Sequence, residues 1–506
     1  MDLSDLIDRN AAFAPDKAAI RFAGRTLTYA GFARRIAAAA KALKAQWGVA
    51  PGDRVGVLAF NHPDTLVLLY ACARLGAMLV PINWRLAVPE QLYILTDASV
   101  KALVVEQALA GIVVPLRQAS PEVHVAGLDF VPDGGITLDT LLEGASGDGR
   151  AAGADFNTPL LIVYTSGTTG RPKGAVLRQD ALIANAAMSQ HLHDMTADDH
   201  VLTVLPIFHV GGLNIQTTPA LQLGATVTLH PRFAPGPTLE AIERERPTLT
   251  VLVPATTQAI IEHPGWAGAR LDSLRAVATG STQVPQHLVD ALADRGVTVL
   301  NVYGSTETCP IAVYARRSGD WRRPGSSGLP GLLCEARIVD DAGREVAAGQ
   351  AGEVVVRGMN VFTEYWGDPR ATAERLRGGW YHSGDIGTRD ADGYFYIHDR
   401  KQNLIISGGE NIYPAEVERV LLAHPAVAEA AVVGAADAKW QEVPVACIVR
   451  RAGVEADPAE IEQFCLKELA RYKVPRRYVF LDDLPRNALG KVQHFRLKQQ
   501  IAMDSG

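Results

Sequence analysis

The segment Tyr164-Thr-Ser-Gly-Thr-Thr-Gly-Arg-Pro-Lys-Gly174 packs four hydroxyl residues and two glycines into positions 165–170, directly after the apolar run Leu160-Leu-Ile-Val163. A strand running into such a loop offers a phosphate cradle. Glycines let the backbone approach an anion with no Cβ in the way, hydroxyls and amides donate to phosphate oxygens, and Lys173 adds a cation. The spacing is not that of the Walker loop, which counted from Gly167 would need glycine at Pro172 and a hydroxyl at Gly174.

On either side of this loop, β-branched apolar runs at 54–59, 102–105, 201–205 and 248–253 alternate with Ala- and Leu-rich helical patterns. That alternation predicts an α/β fold, parallel strands joined by helical crossovers. After about residue 399 the pattern becomes α+β, with helices expected over 415–422 and 459–471 and strands over 430–433 and 445–449. Pro414 and Pro458 occupy first-turn positions that need no N–H, and Asp457 with Glu460 has capping-box spacing. The Gly/Ala-rich stretch 144–153 reads as a surface connection.

Composition narrows the function classes. With 506 residues, 48% hydrophobic and 21% charged, the chain can bury a large core and divide into more than one domain. A net charge of −6 with dispersed Lys and Arg argues against nucleic acid as a partner. Cys72, Cys309, Cys334, Cys447 and Cys465 have no CxxC spacing, which predicts reduced thiols in the cytoplasm, with neither disulfide nor zinc site. The start, MDLSDLIDRN, is acidic and unlike a secretory signal, so the mature chain is expected to begin there. No Asp, Glu, Lys or Arg occurs between Asp199 and Arg232, but Pro206, Gly211, Gly212, Asn214, Gln216 and Pro219 interrupt the apolar character. This segment is expected in the protein interior rather than inserted in a membrane. A homodimer is compatible with the sequence.

The string 164–174 resembles the signature of the acyl-adenylate-forming superfamily, which contains acyl- and aryl-CoA synthetases, firefly luciferase and peptide-synthetase adenylation domains. Five further segments follow in the family's order: Asn301-Val-Tyr-Gly-Ser-Thr-Glu307, Trp380-Tyr-His-Ser-Gly-Asp-Ile-Gly387, Tyr396-Ile-His-Asp-Arg-Lys-Gln-Asn403, Ser407-Gly-Gly-Glu-Asn-Ile-Tyr-Pro-Ala-Glu416 and Pro485-Arg-Asn-Ala-Leu-Gly-Lys491. The resemblance implies a large N-terminal domain over 1–399, a hinge at 400–403 that includes Gln402, and a small mobile C-terminal domain over 404–506. At the hinge the family usually has Asp or Lys where Gln402 stands, and commonly an acid where Asn403 stands.

It also implies the site. ATP or AMP would be held by Thr165, Ser166, Gly167, Thr168, Thr169, Gly280, Ser281, Thr282, Tyr303 against adenine, Gly304, Thr306, Asp385 on the ribose hydroxyls, Arg400 and Lys491. Glu307 would hold Mg²⁺; Lys491, Thr165, Lys173, Glu307 and His209 would be the catalytic set. Leu205-Pro-Ile-Phe-His-Val-Gly-Gly212 resembles the acyl-pocket entrance, where His209 is either the gate or a structural histidine. Val210, Gly211, Gly212, Val302, Cys309 and Pro310 would complete that pocket. Coenzyme A would meet Ser407, Gly408 and Gly409, with Trp440 and Tyr472 either stacking on its adenine or packing their own domain.

These pocket residues include no Arg or Lys for a second carboxylate and no acid for an ammonium. The reaction that the resemblance implies is activation of a carboxylic acid by ATP, then transfer to coenzyme A, and the uncharged pocket residues make that acid a monocarboxylate. The acid is aromatic (benzoate or hydroxycinnamate type) or a medium-chain fatty acid. A luciferase-like oxygenase is possible on the same fold. A carrier protein is disfavoured as acceptor because the chain stops at Gly506, soon after Lys491. A non-catalytic acyl-nucleotide sensor would be expected to lack Lys491 or Glu307, and both are present.

Overall fold

The computed structural model describes residues 1–503 apart from 144, 146–148, 166–171, 281–283, 318, 320–322, 408–409, 438, 455–456 and 487–491. The chain packs as two compact units: Met1–Ala336 with Val356–His382, and Arg337–Val355 with Ser383–Gly506.

Two large sheets organise the first unit. In one, Arg54–Leu58, Met78–Pro81, Ala102–Val105, His124–Gly127 and Pro159–Thr165 run parallel, and Lys173–Arg178 and Glu364–Tyr365 add antiparallel at one edge. In the other, Ala18–Phe22, Thr226–Leu229, His200–Thr203, Leu249–Val251, Ala276–Gly280 and Thr298–Tyr303 are parallel, with antiparallel strands at the two margins. The expected parallel strands are present, with bounds shifted by a residue or two. Helix Pro63–Leu75 is buried on every side from Asp64 onward, as its nearly continuous apolar sequence requires. The charge-free segment after Asp199 lies in the interior. Among the described residues no helix is long and apolar enough to cross a membrane.

The acidic N-terminus has a structural role. Arg74, 2% exposed, donates to Asp8 Oδ2 at 2.7 Å and Ser4 Oγ at 3.1 Å. Arg150 pairs with Asp2, with Asp5 at 2.6 Å and with Asp8 at 2.9 Å. The stretch expected to be a plain surface connection thus carries, at Arg150, an anchor for the first helix; four of its ten residues lie outside those described. Arg74→Ala, which empties the space of a buried guanidinium and leaves Asp8 to Arg150 alone, is expected to cost about 2–5 kcal/mol, read as a lower urea midpoint at unchanged slope.

In the second unit, Ile405–Ser407, Glu410–Ile412, Val427–Asp437, Gln441–Arg450 and Arg477–Leu481 form a mostly antiparallel sheet packed against helices Pro414–Leu422 and Pro458–Glu468. Asp457 caps the latter helix by accepting from Ala459 N at 2.9 Å; no reciprocal bond from Glu460 is seen. The helix ends at Glu468, short of the expected 471, because Leu469 turns extended and buries its side chain with Ile461 and Cys465. The expected hinge falls inside this unit, at the short turn Lys401–Asn403, where Asn403 Nδ2 donates to Asp399 Oδ1 at 3.0 Å. All five cysteines are unpaired thiols.

Candidate functional site

The phosphate-loop segment begins and ends on two antiparallel strands. Strands Pro159–Thr165 and Lys173–Arg178 pair with Thr165 opposite Lys173 and Tyr164 opposite Gly174. Ser166, Gly167, Thr168 and Thr169 lie outside the described residues, but the base that carries them is defined. Tyr164 Oη donates to Asp97 Oδ2 at 2.5 Å, and burial first, then that carboxylate, pushes the phenol's pKa up. Trp366 N donates to Gly174 O at 2.7 Å and its indole N–H to Asp97 O at 3.2 Å.

The same edge links Lys173 through Tyr365 to Glu307, a residue remote in sequence. Strand Glu364–Tyr365 pairs with Val176 and Ala175, which sets Tyr365 between the two motifs. Tyr365 Oη donates to Glu307 Oε1 at 2.6 Å, and Lys173 Nζ sits 5.6 Å from the centroid of the Tyr365 ring. Lys173 Nζ is also 3.7 Å from Asp368 Oδ2. Glu307 itself lies in the turn Thr306–Thr308, 8% exposed, and Phe362 N donates to its carbonyl at 2.8 Å. Among the described residues no cluster of three or more His, Cys, Asp or Glu could enclose a metal ion. One buried carboxylate oriented by a phenol suits a hard cation whose other ligands are phosphate oxygens and water.

Strand Thr298–Tyr303 delivers Val302 and Tyr303 to the turn. At Gly304 a Cβ would strike Pro310 O, and at Gly280 one would strike Val302 O, so backbone packing alone requires glycine at both positions. Ser281 and Thr282 lie outside the described residues. Cys309 and Pro310 follow the glutamate turn, with the Cys309 thiol buried and its pKa raised chiefly by that burial. Asn360, absent from the sequence expectations, straps this loop by donating to Thr308 O at 3.0 Å and Ile311 O at 2.7 Å.

His209 caps the helical turn Val210–Gly212, its Nδ1 accepting from Gly211 N at 3.0 Å. The segment then widens into a π-type turn, Leu213–Thr217, in which Thr218 N reaches back to Leu213 O. Polar residues four apart on helix Gln179–His193 hold it. Asn185 Nδ2 donates to Asn214 O at 2.5 Å, Ser189 Oγ to Ile215 O, and Gln216 Nε2 to His193 Nε2 at 2.9 Å. His193 Nδ1 faces Ser189 O at 2.8 Å, which assigns the neutral tautomer with its proton on Nδ1.

Burial pushes His193 from 6.5 down to about 4, against nearby Asp199 and Asp194 and with help from Arg275. The unfolded chain therefore takes up the proton first, and stability falls as pH drops from 6.5 toward 4. In His193→Leu the stability difference between pH 7 and pH 4.5 is expected to shrink by on the order of 2–3 kcal/mol, checked by urea unfolding at each pH.

In the second unit, Asp385 lies opposite Arg400 in an antiparallel pairing, and Arg400 Nε meets Asp385 Oδ1 at 2.6 Å. Ser383 uses its hydroxyl inside the motif, donating to Val354 O at 2.6 Å and accepting from Asp385 N at 3.0 Å. Glu353, not foreseen from sequence, accepts from Gly384 N at 3.0 Å. Ser407 ends its strand opposite Gln441. Trp440 and Tyr472 are exposed, each with the ammonium of its neighbour, Lys439 or Lys473, near the ring. Gly408, Gly409 and Lys491 lie outside the described residues.

Residues 7–366 match the AMP-binding enzyme family, and residues 416–491 match the AMP-binding enzyme C-terminal domain. The chain belongs to the AMP-binding enzymes. The indoleacetate–CoA ligase of Aromatoleum aromaticum is 49% identical over 504 residues, covering 99% of this chain and 98% of that one. The feruloyl-CoA synthase of an Amycolatopsis species is 41% identical, with 96% of each chain covered. The Bacillus subtilis o-succinylbenzoate CoA synthetase, solved with its acyl-adenylate intermediate, superimposes with a TM-score of 0.88 at 31% identity, covering 98% of both chains. The same synthetase has been solved with ATP and magnesium, with a TM-score of 0.87 at 32% identity over 98% of this chain and 99% of that one. As an AMP-binding enzyme, the chain joins its 164–174 and 301–307 motifs through a side chain that belongs to neither, Tyr365, while Asn360 braces the loop after Glu307 from outside both motifs.

Proposed function

We propose that this AMP-binding enzyme is an AMP-forming acid–thiol ligase that activates an aryl-bearing monocarboxylic acid and transfers it to coenzyme A. The observation that carries the proposal is that Tyr365 contacts both Lys173, at the base of the strand pair flanking the hydroxyl-rich segment, and Glu307, which supports a site for a nucleotide polyphosphate with its cation. The indoleacetate and feruloyl relatives support the aromatic acid over an aliphatic one, and the neutral residues Val210, Val302 and Cys309 support a monocarboxylate over a dicarboxylate.

In the first half-reaction the acid's carboxylate attacks the α-phosphorus of ATP, pyrophosphate leaves, and acyl-AMP remains. Thr165 to Thr169 and Lys173 donate to the phosphate oxygens, Tyr303 lies on adenine, and Asp385 accepts from the ribose hydroxyls. Glu307 would hold magnesium, which when bound would supply charge neutralisation for the departing pyrophosphate. Lys491 brings a cation to the carboxylate and α-phosphate, so the developing charge meets fixed donors rather than a protein nucleophile. In the second, the coenzyme A thiol attacks the acyl carbonyl and AMP leaves. Ser407, Gly408 and Gly409 line the thiol's path, with Trp440 and Tyr472 stacking surfaces for its adenine. Division of labour between 1–399 and 404–506 about Gln402 gives each half-reaction its own face of the small domain. A cytoplasmic location, where reduced thiols persist, fits the five unpaired cysteines.

Pyrophosphate and thioester formation across benzoates, hydroxycinnamates, indoleacetate, fatty acids of graded length and malonate tests the substrate class. The highest kcat/KM is expected on an aryl acid; a clear preference for a fatty acid or malonate would overturn the aromatic assignment.

A further inference from the structure

Asn185 holds two backbone segments at once. Its Nδ2 donates to Asn214 O at 2.5 Å in the wide turn that follows His209. Its Oδ1 accepts from Ile311 N at 3.2 Å in the loop that follows Glu307. Asn214 returns the link, its Nδ2 reaching Cys309 Sγ at 3.5 Å while its Oδ1 accepts from Thr218 Oγ1 at 3.0 Å. Both asparagines have no accessible surface. A buried amide that spends a donor and an acceptor on two different backbones fixes their separation, because losing either bond strands a buried polar group.

The other two rungs of the same helix face, Ser189 and His193, touch the wide turn but have no bond to 309–311 among those seen at them. Asn185 is the rung that joins the two.

We propose that Asn185 is a specificity-determining positioning residue: its amide sets the distance between the turn after His209 and the loop at Cys309–Ile311, and so the width available to the acid's ring. The inference rests on the assignment of these two segments to the acyl pocket. A π-type turn changes the facing of the residues that follow it, and the wall it carries moves relative to the facing loop when the bond that ties the two together is lost, not when the turn alone is loosened. A change in width of a methyl group or two is what separates neighbouring substrates in an apolar pocket.

The test is the ratio of kcat/KM for a compact acid, benzoate, to that for an extended one, a hydroxycinnamate, with the KM for ATP measured alongside. Asn185→Ala is expected to shift the ratio at least about tenfold while the ATP KM stays within about twofold. Ser189→Ala, which loosens the turn without touching the link, is expected to lower Tm and leave the ratio unchanged. If Asn185→Ala does not fold, the isosteric Thr218→Val, which frees the Asn214 amide, is expected to shift the ratio in the same direction by a smaller factor. An equal loss on both acids, or an unchanged ratio in the variant that folds, overturns the inference. An unsubstituted protein that activates no acid overturns the ligase assignment beneath it, which is a different result from an active enzyme whose preference ignores Asn185.

Discussion

Glu307→Gln is expected to lower kcat/KM for acid-dependent pyrophosphate release by about a hundredfold or more and to raise the Mg²⁺ concentration needed for half-maximal rate. The carboxylate is buried and takes a phenolic hydrogen bond at 2.6 Å, so glutamine changes its charge while barely changing its volume. Tyr365→Phe separates orientation from charge. The hydroxyl's hydrogen bond to a carboxylate is worth about 1.5–3 kcal/mol, so its loss is expected to move the Mg²⁺ half-saturation about tenfold with a smaller change in kcat. A variant that loses thermal stability while keeping the wild-type Mg²⁺ response would make Tyr365 a packing residue only.

Lys491→Ala is expected to reduce adenylate formation by two to three orders of magnitude, on the order expected for a preorganised charge at a phosphoryl transition state. Thioester formation from supplied acyl-AMP and coenzyme A is expected to stay within about threefold of the unsubstituted rate, because the second attack needs no cation at the α-phosphate. Comparable losses in both half-reactions would contradict the assignment of Lys491 to the first alone.

Much of the fold was legible in the local pattern. The runs at 54–59 and 102–105 became strands Arg54–Leu58 and Ala102–Val105 because buried parallel strands leave little place for polar residues. The end of helix Pro458–Glu468 was not legible, since Leu469 leaves the helix for a tertiary contact that no propensity records. At the site, Lys173 and Glu307 could be named because each stands in a short motif. Tyr365 could not: it lies 58 residues beyond Glu307 in no motif considered, and only the register of Glu364–Tyr365 against Ala175–Val176 brings it there. Asn185, Ser189 and His193 did leave a signal, polar residues at spacing four within a helix otherwise rich in buried apolar positions. Read that way, the stripe would have pointed to a buried polar partner, and the charge-free segment beginning after Asp199 was available to supply it. Glu353 and Asn360 lie in the sequence as ordinary polar residues, and their roles appear only through the backbone groups they bind.

The most direct test of the ligase assignment is a single turnover with ATP, Mg²⁺ and the preferred acid, first without coenzyme A and then with it added, with nucleotide and acyl products resolved by mass. Enzyme-bound acyl-AMP and free pyrophosphate are expected in the first stage, and acyl-CoA with stoichiometric AMP in the second. ADP and inorganic phosphate, or an adenylate that coenzyme A leaves intact, would contradict it.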